Sequence, residues 1–338
     1  MASLKAWLRP LWLRATPLRN AVLLVRIYLY DYRRFRRHYV PATARKTQQD
    51  ELGAWLLQDK HRIEKGLSFA QVKPHYGQPI LERLLHNLLH YQQQFGKDAY
   101  YYWGVGAFAA YQQHHQQQGI ATAAWFDQLI AQLPAADLAH STARQVGTQA
   151  LPQHQLKPEQ FAQFFNSRTS VRQFQAQQPV PQAVLEAIVA IALKTPSVCN
   201  RQHWKLHILS GAAKDQALAL QNGNTGFGHD APQVGIVTSS LRAFSLPAER
   251  AQAYTDGGMF AMSLLLAAHA HQVATCPLNW AASLKQDLEL RKLQLINDDE
   301  TVIMLIAFGY ASPNCVIANS PRKPVADILI VHDGASQP

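Results

Sequence analysis

The sequence predicts a mixed β-sheet flanked by helices, preceded by a helical extension. Three observations carry this. Short apolar runs alternate with amphipathic helical segments after residue 156. A nearly all-apolar stretch, Gly257 to His271, reads as an enclosed helix, and the continuous run Val302 to Phe308 reads as a central strand. Before about residue 133 the periodicity is mainly helical.

The elements follow in order. Trp7, Leu8, Leu11, Trp12, Leu18, Val22, Val25, Leu29, Tyr32 and Phe35 recur at roughly helical spacing among arginines, which makes residues 1–46 a basic amphipathic arm. Residues 47–155 form a helical extension. In its first helix Leu52, Trp55, Leu56 and Ile63 share a face, and Gly66 is the expected stop. A second helix runs from Gln78 to about Phe95 and a third from about Tyr101 to Gln116. His114 and His115 read as a solvated face, because neighbouring residues do not share a helix face. His61 and Glu64 read as an ordinary hydrogen-bonded pair. Leu133 to Gln155, with Pro134 and Pro152, reads as a linker. In residues 156–338, Pro181 opens an amphipathic helix through Val184, Leu185, Ile188 and Leu193. Trp204, Leu206 and Ile208 alternate with Lys205 and His207 as a strand, and Val234 to Thr238 is a short buried strand.

Composition narrows the function. The chain has 338 residues and a formal charge of +10. Residues 1–46 hold eleven Lys/Arg and one acid, Asp31, so the remainder is neutral and the basicity belongs to the arm. A basic arm rich in leucine and aromatic residues fits an anionic membrane surface, at about 1 kcal/mol per basic residue. Packing on its own domain or on a partner is the alternative, and a nucleic-acid partner is not expected. No run reaches the roughly 18 apolar residues of a spanning helix, and the N-terminus does not read as a signal peptide. Cys199, Cys276 and Cys315 make no disulfide framework. The expected location is cytoplasmic, peripheral at the inner face of the membrane. No metal-ligand set, Rossmann glycine fingerprint, P-loop or nucleophile elbow is present. Gly223 to Gly228 reads as a flexible loop, and no catalytic nucleophile can be named.

Two segments carry the chemistry. Ser167-Arg168-Thr169-Ser170-Val171-Arg172 offers two guanidiniums and several hydroxyls, suited to a phosphate. Pro196-Ser197-Val198-Cys199-Asn200-Arg201-Gln202 offers neutral hydrogen-bonding groups, suited to a polar ring edge. Arg168-x-Ser170-x-Arg172-x-Phe174 and Pro196-Ser197-x-x-Asn200-x-Gln202-x-Trp204 resemble two signatures of the nitroreductase family of FMN-dependent oxidoreductases. Asp256-Gly257-Gly258, Cys276-Pro277-Leu278-Asn279-Trp280, Phe308-Gly309-Tyr310 and Arg322-Lys323-Pro324 agree in order.

The resemblance covers about residues 160–330. It implies an α+β, nitroreductase-like fold, a homodimer with FMN at the subunit interface, and ping-pong hydride transfer from NAD(P)H to a small-molecule substrate. It implies that Arg168, Arg322 and Lys323 clamp the phosphate, that Thr169 and Ser170 bond the ribityl chain or a ring carbonyl, and that Arg172 faces the N1/C2 edge. Pro196, Ser197, Val198 and Asn200, with Gln202 nearby, would come from the partner. Pro277, Leu278 and Asn279 would pass the ring as a loop and offer an N–H to N5. The helical extension also resembles family members associated with bacterial surface-polysaccharide biosynthesis. His203, Gln272, Ala274 and Trp280 depart from the family's usual residues. The competing reading is a membrane-surface scaffold that keeps the fold without reductase activity.

Overall fold

The computed structural model describes residues 2–142 and 146–332, with side chains of the first helix from residue 17 onward. Helix α1 spans Ala2–His38. The side chains of Trp7, Leu8, Leu11 and Trp12 lie outside the described residues. Leu18, Val22, Val25, Tyr28 and Leu29 stand exposed, while the C-terminal turns of the helix pack on the chain's own sheet domain. Tyr30 donates to Asp287 at 2.6 Å, the Arg34 guanidinium donates to the Asp298 and Glu300 carbonyls, and Phe35 and Tyr39 pack with Phe244. The arm therefore divides into a packed base and an exposed apolar length.

Helices α2 (Gln49–Leu67), α3 (Gln78–Phe95) and α4 (Ala99–Gln117) bury one apolar cluster that includes Leu52, Ile63, Leu84, Leu88, Tyr101, Phe108 and Tyr111. Asp98 caps α4 by accepting from the Tyr100 and Tyr101 N–H groups. Gly66 lies inside α2, which ends one residue later. Helix α5 (Ala124–Ile130) adds Phe126 to this core. Two expectations need correction. His115 is buried rather than solvated, because its Nδ1 meets the Tyr111 carbonyl at 2.9 Å and its ring packs on that tyrosine. The stretch read as a linker contains α6 (Ala135–Thr142). It is held by Asp137, which pairs with Lys97 at 2.7 Å and accepts from Tyr101 at 2.8 Å. An ion pair between a buried Asp137 and an exposed Lys97 leaves no trace in hydrophobic periodicity.

The C-terminal part is α+β. After α7 (Pro158–Ser167) and α8 (Gln182–Ala192) come β1 (Trp204–Leu209), α9 (Gly211–Ala219), β2 (Gln233–Ser240), α10 (Gln252–Ala270), β3 (Ala274–Asn279), α11 (Leu284–Lys292) and β4 (Glu300–Gly309). The sheet order is β1-β2-β4-β3. Every adjacent pair is antiparallel, so the expected mixed sheet is corrected. The reason lies in the connections. Short α9 returns the chain to the end of the sheet it left, with Leu209 opposite Val234. Long α10 carries it to the other end, which makes β2 and β3 parallel, but β4 inserts between them. Gly257 allows α10 this close approach, since a Cβ there would sit 2.6 Å from Ile303.

Candidate functional site

The first segment crosses the end of the sheet where β3 begins and β4 finishes. The Val171 N–H donates to the Thr275 carbonyl at 2.9 Å, and Phe174 bridges Ala311. Ser167 Oγ lies 2.7 Å from His269 Nε2, near the C-terminus of α10. Burial, then the Arg168 charge, push His269 down, so its ring stays neutral. Arg168 is half-buried, and its Nη1 is buried without a hydrogen-bond partner in the chain. An orphaned guanidinium donor is costly, and an anion would satisfy it. Thr169 and Ser170 are half-buried beside it, and Arg172 is exposed, its guanidinium 5.9 Å from the centroid of the Phe227 ring.

Cys276 lies close by. Burial pushes its thiol up, against the pull of Arg172 and Arg168. It is therefore protonated and unreactive. Gly223 to Gly228 is a pinned turn rather than a flexible loop, because Asn224 Nδ2 donates to the Leu218 and Gln221 carbonyls. Pro277, Leu278 and Asn279 belong to edge strand β3, paired with Ile306, Leu305 and Met304, rather than to a loop. The β-branched and aliphatic run of β4 recruits them into the sheet. Arg322 and Lys323 are exposed on the tail that follows.

The second segment lies at the opposite end of the sheet, just before β1. Val198 to Asn200 form one turn of 3-10 helix. Cys199, Asn200 and Gln202 have φ of 49°, 51° and 49°. Left-handed backbone at residues other than glycine is strained and needs external anchors. One is Asp256 of α10, which accepts the Val198 N–H at 2.9 Å, His203 Nε2 at 2.8 Å and Gln252 Nε2 at 2.6 Å. Burial alone would raise the Asp256 carboxyl, but these donors hold it below the usual range. With Nε2 protonated, His203 Nδ1 accepts from Ser239 Oγ at 2.7 Å.

This Ser-His-Asp chain could not be read from the sequence, where the three residues are scattered. It is no nucleophilic triad. Ser239, His203 and Asp256 are all buried, and the aspartate is committed to the loop. The one available signal was His203, standing where the family usually has another residue. A second anchor is Ser197 Oγ, which accepts the Gln202 N–H at 3.0 Å. Pro196 is exposed, and Ser197, Val198, Asn200 and Gln202 are half-buried.

Within one chain the two segments do not meet. One contacts Asp256 and the other His269, about 20 Å apart along α10 at 1.5 Å per residue.

The nitroreductase family model matches residues 165–224 and 214–310, leaving the arm and the helical extension outside. The chain is 27% identical over 207 residues to nitroreductase NfnB of Mycolicibacterium smegmatis, covering 48% of this chain and 86% of that protein. A putative nitroreductase from Desulfovibrio desulfuricans, solved in complex with FMN, aligns at 20% identity with a TM-score of 0.44, over 53% of this chain and 98% of its own. A nitroreductase with bound FMN from Bacteroides fragilis aligns at 20% identity with a TM-score of 0.41, over 51% and 98%.

Proposed function

Because residues 165–310 belong to the nitroreductase family, we propose that the chain is an FMN-dependent oxidoreductase, reduced by NAD(P)H and acting on a second small molecule by a ping-pong cycle. The observation that carries this is the orphaned Nη1 of Arg168, with hydroxyls at Thr169 and Ser170 and a second guanidinium at Arg172. These residues fit a phosphate and its polyol chain. Arg322 and Lys323 add cationic reach from the tail.

Held by Arg168, Thr169 and Ser170, FMN would supply hydride-transfer chemistry between the nicotinamide and the second substrate. The chain's residues bind and orient. Arg168 would neutralise phosphate charge, and Arg172 would supply positive potential to the anionic reduced cofactor. No side chain is assigned a proton-transfer role.

A homodimer completes this site. The two segments lie about 20 Å apart in one chain, and a two-fold partner would bring its Pro196–Gln202 loop to Arg168. The tail supports such a partner, since Val325, Ile328, Leu329, Ile330 and Val331 are each more than 60% exposed. The exposed length of α1 supports peripheral attachment to an anionic membrane at the cytoplasmic face. No helix among the described residues is long and apolar enough to cross a membrane.

The test is anaerobic titration of the FMN-loaded protein with NADH and with NADPH. Bleaching of the flavin absorbance by either supports the assignment. A flavin that neither reduces, or a folded dimer that refuses FMN, would turn the reading to the scaffold.

A further inference from the structure

The loop at Pro196–Gln202 is anchored from three sides, and one anchor comes from the helical extension. Arg201 is 4% exposed. Its Nη1 donates to the Ala243 carbonyl at 2.8 Å, and its Nη2 donates to Glu249 Oε1 at 2.7 Å and to Gln58 Oε1. Glu249 is itself fixed, because its Oε2 accepts the Ser245 and Leu246 N–H groups at 2.8 and 3.0 Å. Gln58 lies on α2, is 1% exposed, and is separated from Arg201 by 143 residues of sequence. Its Nε2 makes no hydrogen bond, so its polar commitments are to Arg201 and, at 3.5 Å, to Ser245 Oγ.

We propose that Gln58 is a positioning residue for the flavin loop, acting through the Arg201 guanidinium; the flavin part of this rests on the function proposed above. The argument is one of strain. Cys199, Asn200 and Gln202 occupy left-handed backbone on both sides of Arg201. Local preference does not hold that conformation, so buried contacts must. Asp256 fixes Val198 in the first half of the loop, and Arg201 fixes its far end. A guanidinium at 4% exposure needs acceptors for its N–H donors. Gln58 supplies one of them from outside the family-matched region. The extension is thereby wired to the candidate cofactor site, and anything that moves α2 moves the loop.

The test compares the full-length wild type with Gln58→Leu and Gln58→Glu. Leucine keeps the buried volume but removes the acceptor, and glutamate keeps the acceptor. Amide hydrogen exchange over residues 196–203 is read first, because it requires no flavin, and FMN affinity is read second. In Gln58→Leu, exchange in the loop rises about tenfold or more while α8 and β1 stay protected, and FMN binds about tenfold more weakly. Gln58→Glu returns both towards wild type. Unchanged loop exchange in Gln58→Leu overturns the proposal. So does a rise spread equally over α8 and β1, which would make Gln58 an ordinary core contact. A wild type that binds no FMN, with loop-specific loss of protection in Gln58→Leu, rejects the flavin reading and keeps the positioning role. FMN binding with an undisturbed loop does the reverse.

Discussion

Replacing Glu300 by glutamine tests the electrostatic core of the sheet domain. Glu300 opens β4 and is fully buried. Its Oε1 accepts from Lys205 Nζ at 2.9 Å and Asn297 Nδ2 at 3.0 Å, and its Oε2 accepts from His207 Nε2 at 2.6 Å and Thr238 Oγ1 at 2.7 Å. One carboxylate thus ties β1, β2 and β4 together. Burial alone would raise its pKa, but the hydrogen bonds from His207, Thr238 and Lys205 prevail and bring it from 4.5 to about 2. A carboxyl depressed that far holds about 3 kcal/mol of folding free energy. The sign follows from the direction. Its folded pKa lies below the unfolded one, so the contribution is full above about 4.5 and is lost as pH falls through about 2.

Glutamine offers one acceptor where four donors converge, and turns an amide N–H toward two of them. We expect Glu300→Gln to cost about 3 kcal/mol at pH 7, close to what breaking a buried pair costs. That corresponds to a Tm lower by about 4 °C for a chain of this size. Urea titration and thermal melting, followed by tryptophan fluorescence, would measure it. The gap between wild type and variant should narrow as pH falls from 4.5 toward 2. A variant within about 0.5 kcal/mol of wild type at pH 7, or a gap independent of pH, would refute the reasoning.

Three further outcomes are expected. Changing Arg168 and Arg322 together to alanine should weaken FMN binding at least about a hundredfold, as loss of two charge-assisted contacts implies; equilibrium dialysis showing wild-type retention would count against the clamp. Deleting residues 1–26, which leaves Tyr30 and Arg34 on the sheet domain, should abolish sedimentation with anionic vesicles, and this binding should weaken with salt in the parent chain. Unchanged sedimentation would move the arm to a protein partner. Asn200→Ala should weaken FMN binding several-fold without dissociating the dimer, as read by flavin fluorescence and light scattering; unaltered affinity would reduce Asn200 to a turn residue.

What the sequence showed and hid has physical causes. The helix read from Gln78 to Phe95 is present with those bounds, because Leu81, Leu84, Leu85 and Leu88 make a single stripe and Gly96 follows. The strands Trp204–Leu209 and Glu300–Gly309 were visible as an alternating run and a continuous apolar run. Strand direction was not, since alternation of helices and strands says nothing about which end of the sheet a connection returns to. Strand β3 was missed because the resemblance implied a loop at Pro277–Asn279, and only its pairing with β4 shows it as an edge strand. The two candidate segments were visible as clusters of suitable groups, but their separation along α10 was not. The contacts of Asp256 with Val198 and of Gln58 with Arg201 join residues 58 and 143 positions apart, a distance no local pattern spans. Gln272, at φ 58°, occupies left-handed backbone that glycine adopts without a Cβ clash, so this turn carries a cost in strain.

The central claim is that Arg168 and its neighbours hold FMN. The most direct measurement is the visible spectrum of the freshly purified full-length protein, followed by mass identification of whatever is released on denaturation. The account predicts flavin absorbance and close to one FMN per chain, two per dimer. A colourless, folded dimer that also fails to take up added FMN would contradict it.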